Sequence, residues 1–504
     1  MSIAAKALAA SEAQERPGAT EYGFWLFLAI AVGRINQLIP GLSSLPLAKL
    51  AIVISCGALL VDKRTTLPPL SPDGRGLLRA GIGMACLAVL LTPASFWLGS
   101  SVHFVLFDMP PLIAATALAC AMRRSWTSLR GTLLVLLLCG FALGALAALR
   151  HVHGRADDTG TMYDPNDLAY VLVTIVPLGL AFRNVAKTRV HKVLYTLMTA
   201  INVGALLLTE SRGGLLGLLT VLILMVFLPL GVTAPGHAQM GLRRLRASLA
   251  IALVILGGSA AVWDQLPQSA QQRYMTLLHL NHDYNTNLED TTGRESIWLQ
   301  GLRAFRARPM GYGPQTYQMV DMRFGGKFKA PHNSYLQALV ELGPLGLWFL
   351  LRMYFLTLRA MQRTRSSMLA RDDPSPEHSE RAVIARSLQY GVLGNMVSGF
   401  FLSDAYSMLP WVLFGLCAAV SALPLQPLES PKPPASVTRR LKASASPRSP
   451  LRPRRSRAQP TLFSTGGLGT TSPPTKLQPI CPAVPSHAPT LQAAPVDTPP
   501  TRPA

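Results

Sequence analysis

Long apolar runs alternate with short polar connections along this chain, and the runs set its architecture. Stretches of about 17 to 25 mostly apolar residues recur, each long enough as an α-helix to cross a bilayer core of roughly 30 Å. They fall near residues 22–40, 45–62, 77–97, 103–122, 129–149, 165–182, 190–208, 213–231, 247–264, 335–358, 387–402 and 406–424. The pattern predicts an all-α, polytopic membrane protein with about twelve transmembrane helices. The first, second and eleventh runs are the weakest. Arg34 and Asn36 interrupt the first, Lys49 falls early in the second, and the eleventh is short. No small-residue cleavage site follows a short apolar core near the start, so a cleavable signal is not expected there.

Polar positions divide the chain further. Residues 1–21 precede the first run, and 22–264 hold the first nine. A long polar segment, 265–333, leads into the last three runs at 334–424, and a tail occupies 425–504. Basic residues cluster in alternate connections: Arg75 and Arg79, Arg123, Arg124 and Arg130, Arg183 to Lys192, Arg243 to Arg246, and Arg359 to Arg371. Such alternation predicts that these connections and both termini lie in the cytoplasm, with 265–333 as a structured extracytoplasmic loop.

Composition agrees with the membrane reading. The chain is 49% hydrophobic and only 14% charged, with a mean hydropathy of +0.30, outside the range of an ordinary soluble protein. A formal charge of +22 suggests nucleic acid at first sight. Arg-rich inner loops and a Pro/Ser-rich basic tail supply it, so no nucleic-acid partner is needed. The tail has too little apolar surface to offset chain entropy and is expected to be disordered. Cys56, Cys86, Cys120, Cys139 and Cys417 lie in apolar runs and Cys481 in the tail, which suggests neither a disulfide framework nor a thiolate metal site.

The long loop carries its own signals. Asp290-Thr291-Thr292-Gly293-Arg294-Glu295 looks like a helix start, with Thr291 or Thr292 as cap and Glu295 completing a capping box. Ile297, Trp298, Gly301, Leu302 and Phe305 would share one face, and Arg308-Pro309-Met310-Gly311 would end the helix. Just before the tenth run stands His332-Asn333, followed about ten residues later by Gly343-Pro344-Leu345-Gly346. The two glycines suit close helix packing.

His332-Asn333 with this Gly-x-x-Gly, Ser211-Arg212-Gly213 between the seventh and eighth runs, and Thr292-Gly293-Arg294 in the loop resemble the O-antigen ligase and polymerase family. The specific motifs cover roughly residues 200–350, and the tail falls outside the resemblance. What the resemblance implies is a metal-independent membrane glycosyltransferase without a cofactor. It would use undecaprenyl-diphosphate-linked glycan and sit in the bacterial inner membrane, with its active site on the periplasmic face. The acceptor would be a hydroxyl on lipid A core, a growing polysaccharide or a protein.

Three residues carry that chemistry. A neutral imidazole at His332 can take a proton from an acceptor hydroxyl, although a histidine capping a helix would also fit. Arg212 and Arg294 suit a diphosphate, because a guanidinium fork matches two phosphate oxygens and glycines beside Arg212 allow close approach. Arg212 could instead snorkel to headgroups. Arg294 could simply pair with Asp290 or Glu295. Ser211, Asn333, Asn166 and Asp167 are candidate substrate contacts. Asp164 as cap, Pro165 at the first helical position and Asp167 in the first turn also have a complete structural account. His151, His153, Asp157 and Asp158 have only generic metal-ligand spacing, and no metal is expected. A transporter of a small anion or solute is the competing class. Against it stand the lack of a repeat among the runs and the scarcity of acidic residues inside them.

Overall fold

The computed structural model describes residues 17–38, 41–42, 45–62, 67–150, 164–228, 230, 268–275, 293–370 and 375–423, with isolated positions between 249 and 263. The expected ninth run, the His151 to Asp158 group, the proposed caps Thr291 and Thr292, and the tail lie outside the described residues. Those described form helices and connections without a strand. In order they are α1 (Ala19–Ala31), α2 (Leu47–Val61), α3 (Pro72–Leu91), α4 (Leu98–His103), α5 (Met109–Ala121), α6 (Trp126–Arg150), α7 (Pro165–Val185) and α8 (Arg189–Leu208). Next come α9 (Arg212–Phe227), α10 (Gln268–Met275), α11 (Arg294–Ala307), α12 (Tyr317–Arg323), α13 (Ser334–Leu369), α14 (Pro376–Gly399) and α15 (Met408–Ala422).

Among the described residues, six helical segments are long and apolar enough to cross a membrane, and four shorter apolar helices accompany them. Together they fall on ten of the twelve expected runs. The eleventh run is the second half of α14, whose first half carries Glu377, Glu380, Arg381 and Arg386 and lowers its apolar character. The first run is cut short: α1 stops at Ala31, and Arg34 takes a left-handed conformation at φ +52°.

Helix α7 is apolar on all sides and is buried from Leu168 to Phe182, as expected of a helix surrounded by others. Asn395 of α14 ties it into the bundle. Its Oδ1 accepts hydrogen bonds from Tyr170 at 3.1 Å and Tyr354 at 2.9 Å. Its amide donates to Thr174 at 3.2 Å, so α7, α13 and α14 share one satisfied polar centre.

The charged residues of alternate connections gather at one end of the bundle. Asp73 meets Arg363 at 2.9 Å and Arg359 at 3.5 Å. Arg124 pairs with Asp62 and Arg130 with Glu380. We call this the basic end. The starts of α4, α7, α9, α11 and α13 mark the other, the loop end.

Helix α13 is not continuous. Gly343 has φ +71° and ψ −171°, and Pro344 lacks an N–H, so the helix breaks there. The Pro309–Gly313 backbone docks into the break, with Tyr312 N–H donating to Val340 O at 3.0 Å and Gly313 N–H to Glu341 O at 2.9 Å. A Cβ on Gly343 would fall 2.8 Å from Pro309 O. The Gly-x-x-Gly element therefore admits a loop backbone, where the sequence suggested a second helix. The buried Glu341 carboxylate reinforces the junction by accepting from the Gln315 and Tyr317 N–H groups at 3.0 and 3.2 Å.

Candidate active site at the loop end

The turn between α8 and α9 presents Arg212 at the first position of α9. Ser211 caps that helix, its hydroxyl accepting from Gly214 N–H at 3.2 Å, and it is buried. Gly213 lets the turn press on the α14–α15 connection: a Cβ there would fall 2.9 Å from the Phe401 Cβ. Its carbonyl accepts from Ser398 at 3.1 Å.

Arg294 also opens a helix. The cap of α11 is Gly293, without a side-chain cap bond, which replaces the expected Thr cap and moves the helix start later. The buried face centres on Ile297, Gln300, Gly301 and Ala304, and Leu302 is exposed, contrary to the expected stripe. The Arg294 guanidinium lies 5.9 Å over the Phe401 ring. Trp298 stacks edge-on against Phe400 at 5.3 Å and donates to Pro331 O at 2.8 Å. Phe400 and Phe401 thus bring both arginine-bearing turns to one connection.

His332 is held by the same connection. Its φ is +46°, a region few residues with a side chain adopt and one that recurs at functional sites. Its N–H donates to Ser403 Oγ at 2.8 Å. Ser334 continues the lacing, donating to Leu402 O at 2.8 Å and accepting from Asp404 N–H at 2.9 Å. Asn333 caps α13, its Oδ1 accepting from Tyr335 and Leu336 N–H groups at 3.0 and 2.9 Å. That local duty orients the helix start that carries His332.

Across the site, Asp164 caps α7 by accepting from Asn166 and Asp167 N–H groups at 2.6 and 3.0 Å, as the sequence indicated. The charges then converge. Burial first, then the Arg294 and Lys329 charges, hold His332 below the ordinary imidazole value, with Asp164 opposing them. A neutral, proton-accepting ring is the result at pH 7. Burial, then the Asp167 and Asp164 carboxylates, push Asp404 well above the ordinary carboxylate range. Three carboxylates therefore stand within electrostatic reach of one another at this end.

The seven candidate residues therefore lie at helix starts of the loop end, and the α14–α15 connection meets the Arg212 turn, Arg294, His332 and Asp167. Phe401, Ser403 and Asp404 in that connection were missed. A lone Asp in a short link between two apolar runs was the available signal. It carries no motif, and the carboxylates it meets, Asp164 and Asp167, are more than 200 residues away in the chain.

Residues 197–351 match the family model described as O-antigen ligase. The interval takes in Arg212, Arg294 and His332, but neither Asp164 nor Asp404. Comparison with curated proteins yields no match.

Proposed function

We propose that this chain, whose residues 197–351 belong to the O-antigen ligase family, transfers glycan from a polyprenyl-diphosphate carrier to a hydroxyl acceptor at its loop end. The observation carrying this reading is the α14–α15 connection. Phe401 touches both arginine-bearing turns, and Ser403 holds His332. An anion clamp and a base thus share one support.

In the reaction, the acceptor oxygen attacks the anomeric carbon from the face opposite the diphosphate. The new carbon–oxygen bond forms as the bond from carbon to phosphate oxygen breaks, and its electron pair leaves with the diphosphate. Arg212 and Arg294 neutralise that developing charge, and His332 takes the hydroxyl proton. Inversion at the anomeric carbon follows. Asp164, Asp167 and Asp404 accept hydrogen bonds from sugar hydroxyls, with Asn166 beside them. Leaving-group stabilisation in a half-dry site is normally the largest contribution. Base catalysis adds roughly 10²- to 10⁴-fold. No step calls for a metal or a cofactor. Undecaprenyl diphosphate is the carrier this reading expects, in a bacterial inner membrane with the loop end on the extracytoplasmic side.

The test is transfer from a lipid-linked glycan by the protein in detergent, without an ion gradient. Transfer there supports the reading. Failure, together with gradient-driven solute uptake in vesicles, would make the protein a transporter. Orientation is checked by single cysteines at Lys327 and Arg75 in a cysteine-free background. An impermeant reagent on spheroplasts should label the first and spare the second.

A further inference from the structure

A second site opens sideways below the loop end. A cleft of about 340 Å³ lies between α1, α2, the Phe104–Asp108 segment and α5, within the size range of small-molecule sites. Phe27, Phe104, Phe107, Leu112, Tyr406 and Met408 form its apolar walls. The Phe104–Asp108 segment is a π-helical turn. Pro110 and Pro111 explain it, because they remove the donors an α-helix would aim at the carbonyls of Leu106 and Phe107. Such widened turns recur at functional sites.

Depth follows from the neighbours. Ser100 and Ser101 at the start of α4 donate to Gln315 O at 2.9 Å and Pro314 O at 2.6 Å, at the loop end. Helix α5 then runs to Arg123 and Arg124 at the basic end. That places the cleft toward the loop end of the apolar helices, near the headgroup level expected of one leaflet, with Leu106 and Phe107 exposed beside it.

Two charges stand on opposite walls. Lys49 of α2 is exposed, lies 5.9 Å from the Phe107 ring, and makes no ion pair among the described residues. Asp108 faces His103 at 3.4 Å, with its own side chain half exposed and that of His103 exposed. One ammonium and one carboxylate over an apolar slot match a headgroup with one phosphate and one amine. A phosphoglycerol headgroup would bring no cation of its own to Asp108, and a diphosphate would bring excess negative charge onto it.

We infer that this cleft holds one acyl chain of a zwitterionic, amine-bearing phospholipid, with its phosphate at Lys49 and its amine at Asp108. The chain lies against Tyr406, whose ring is 4.8 Å from that of Phe104. Tyr406 is two residues beyond Asp404, so the lipid backs the connection that holds the catalytic groups. Lipid binding at this cleft does not depend on glycan transfer.

Native mass spectrometry tests it on the full-length protein extracted in mild detergent and exchanged with an equimolar mixture of phosphatidylethanolamine and phosphatidylglycerol. One phosphatidylethanolamine per chain should be retained in preference to phosphatidylglycerol. Lys49→Ser should lower retention of both lipids about fivefold, and Asp108→Asn should lower the preference for phosphatidylethanolamine by a similar factor, the scale of one charge contact at a membrane surface. Leu112→Trp, which fills the cleft, should remove the bound lipid. Retention by a folded Leu112→Trp protein overturns the cleft as the site. Unchanged retention in Lys49→Ser, unchanged preference in Asp108→Asn, or equal retention of the two lipids by the wild type overturns the headgroup assignment. Lys49 is exposed, so its variant remains informative if Leu112→Trp fails to fold.

Discussion

The two ends of this bundle use charge in opposite ways. At the basic end opposite charges meet: Asp73 lies against Arg359 and Arg363, Arg124 against Asp62, and Arg130 against Glu380. Such pairs neutralise locally and fasten helix ends. At the loop end the charges that act on Asp404 are two more carboxylates, and those that lower His332 are cations. Like charges in a half-buried site raise the free energy of the folded state, and sites that tolerate them are commonly functional. Under the proposed function, the basic end serves the fold and the loop end the reaction.

The comparison breaks first at His332. His332→Ala should lower transfer by at least about 100-fold while donor binding persists, since the arginines supply that. A folded His332→Ala protein with near wild-type turnover would remove the base from the mechanism. Arg212→Lys and Arg294→Lys come next, each expected to cost roughly 10- to 100-fold in kcat/KM, because a point charge cannot replace a two-pronged donor. Wild-type kinetics in both variants would reduce these arginines to structural or headgroup-facing residues.

A pH profile sharpens the contrast further. His332 is held below the ordinary imidazole value, so it stays neutral, and the rate holds, to a pH below about 6.5. Arg294→Met removes a cation that disfavours protonation, so the acid limb should move up. Asp164→Asn removes an opposing carboxylate, so the limb should move down. Shifts in the reverse directions would separate His332 from the limb. The smallest effect belongs to the basic end. Asp73→Asn should lower thermal stability by about 1 kcal/mol, because both arginine partners are half exposed and screened. Turnover per folded molecule should not change. A large loss of turnover there would erase the division of labour between the ends.

What the sequence determined by itself is local. The run length of the apolar segments set most helices, since twenty apolar residues are stable across a bilayer only as a helix. Asp164 before Pro165 marked a helix start, because capping bonds reach only two or three residues along the chain. The motifs at Arg212, Arg294 and His332 were legible for the same reason, each being a short contiguous string. Tertiary structure decided the rest. Gly343 could be read as a small residue, but only the docked Pro309–Gly313 backbone makes it a helix break. Asp404 sits in a link of ordinary appearance. It joins the site because α7 and α14 pack side by side and bring Asp164 and Asp167 beside it, a like-charge meeting that chain-local patterns cannot encode. The left-handed backbone of His332 likewise depends on Ser403, a partner 71 residues further along the chain.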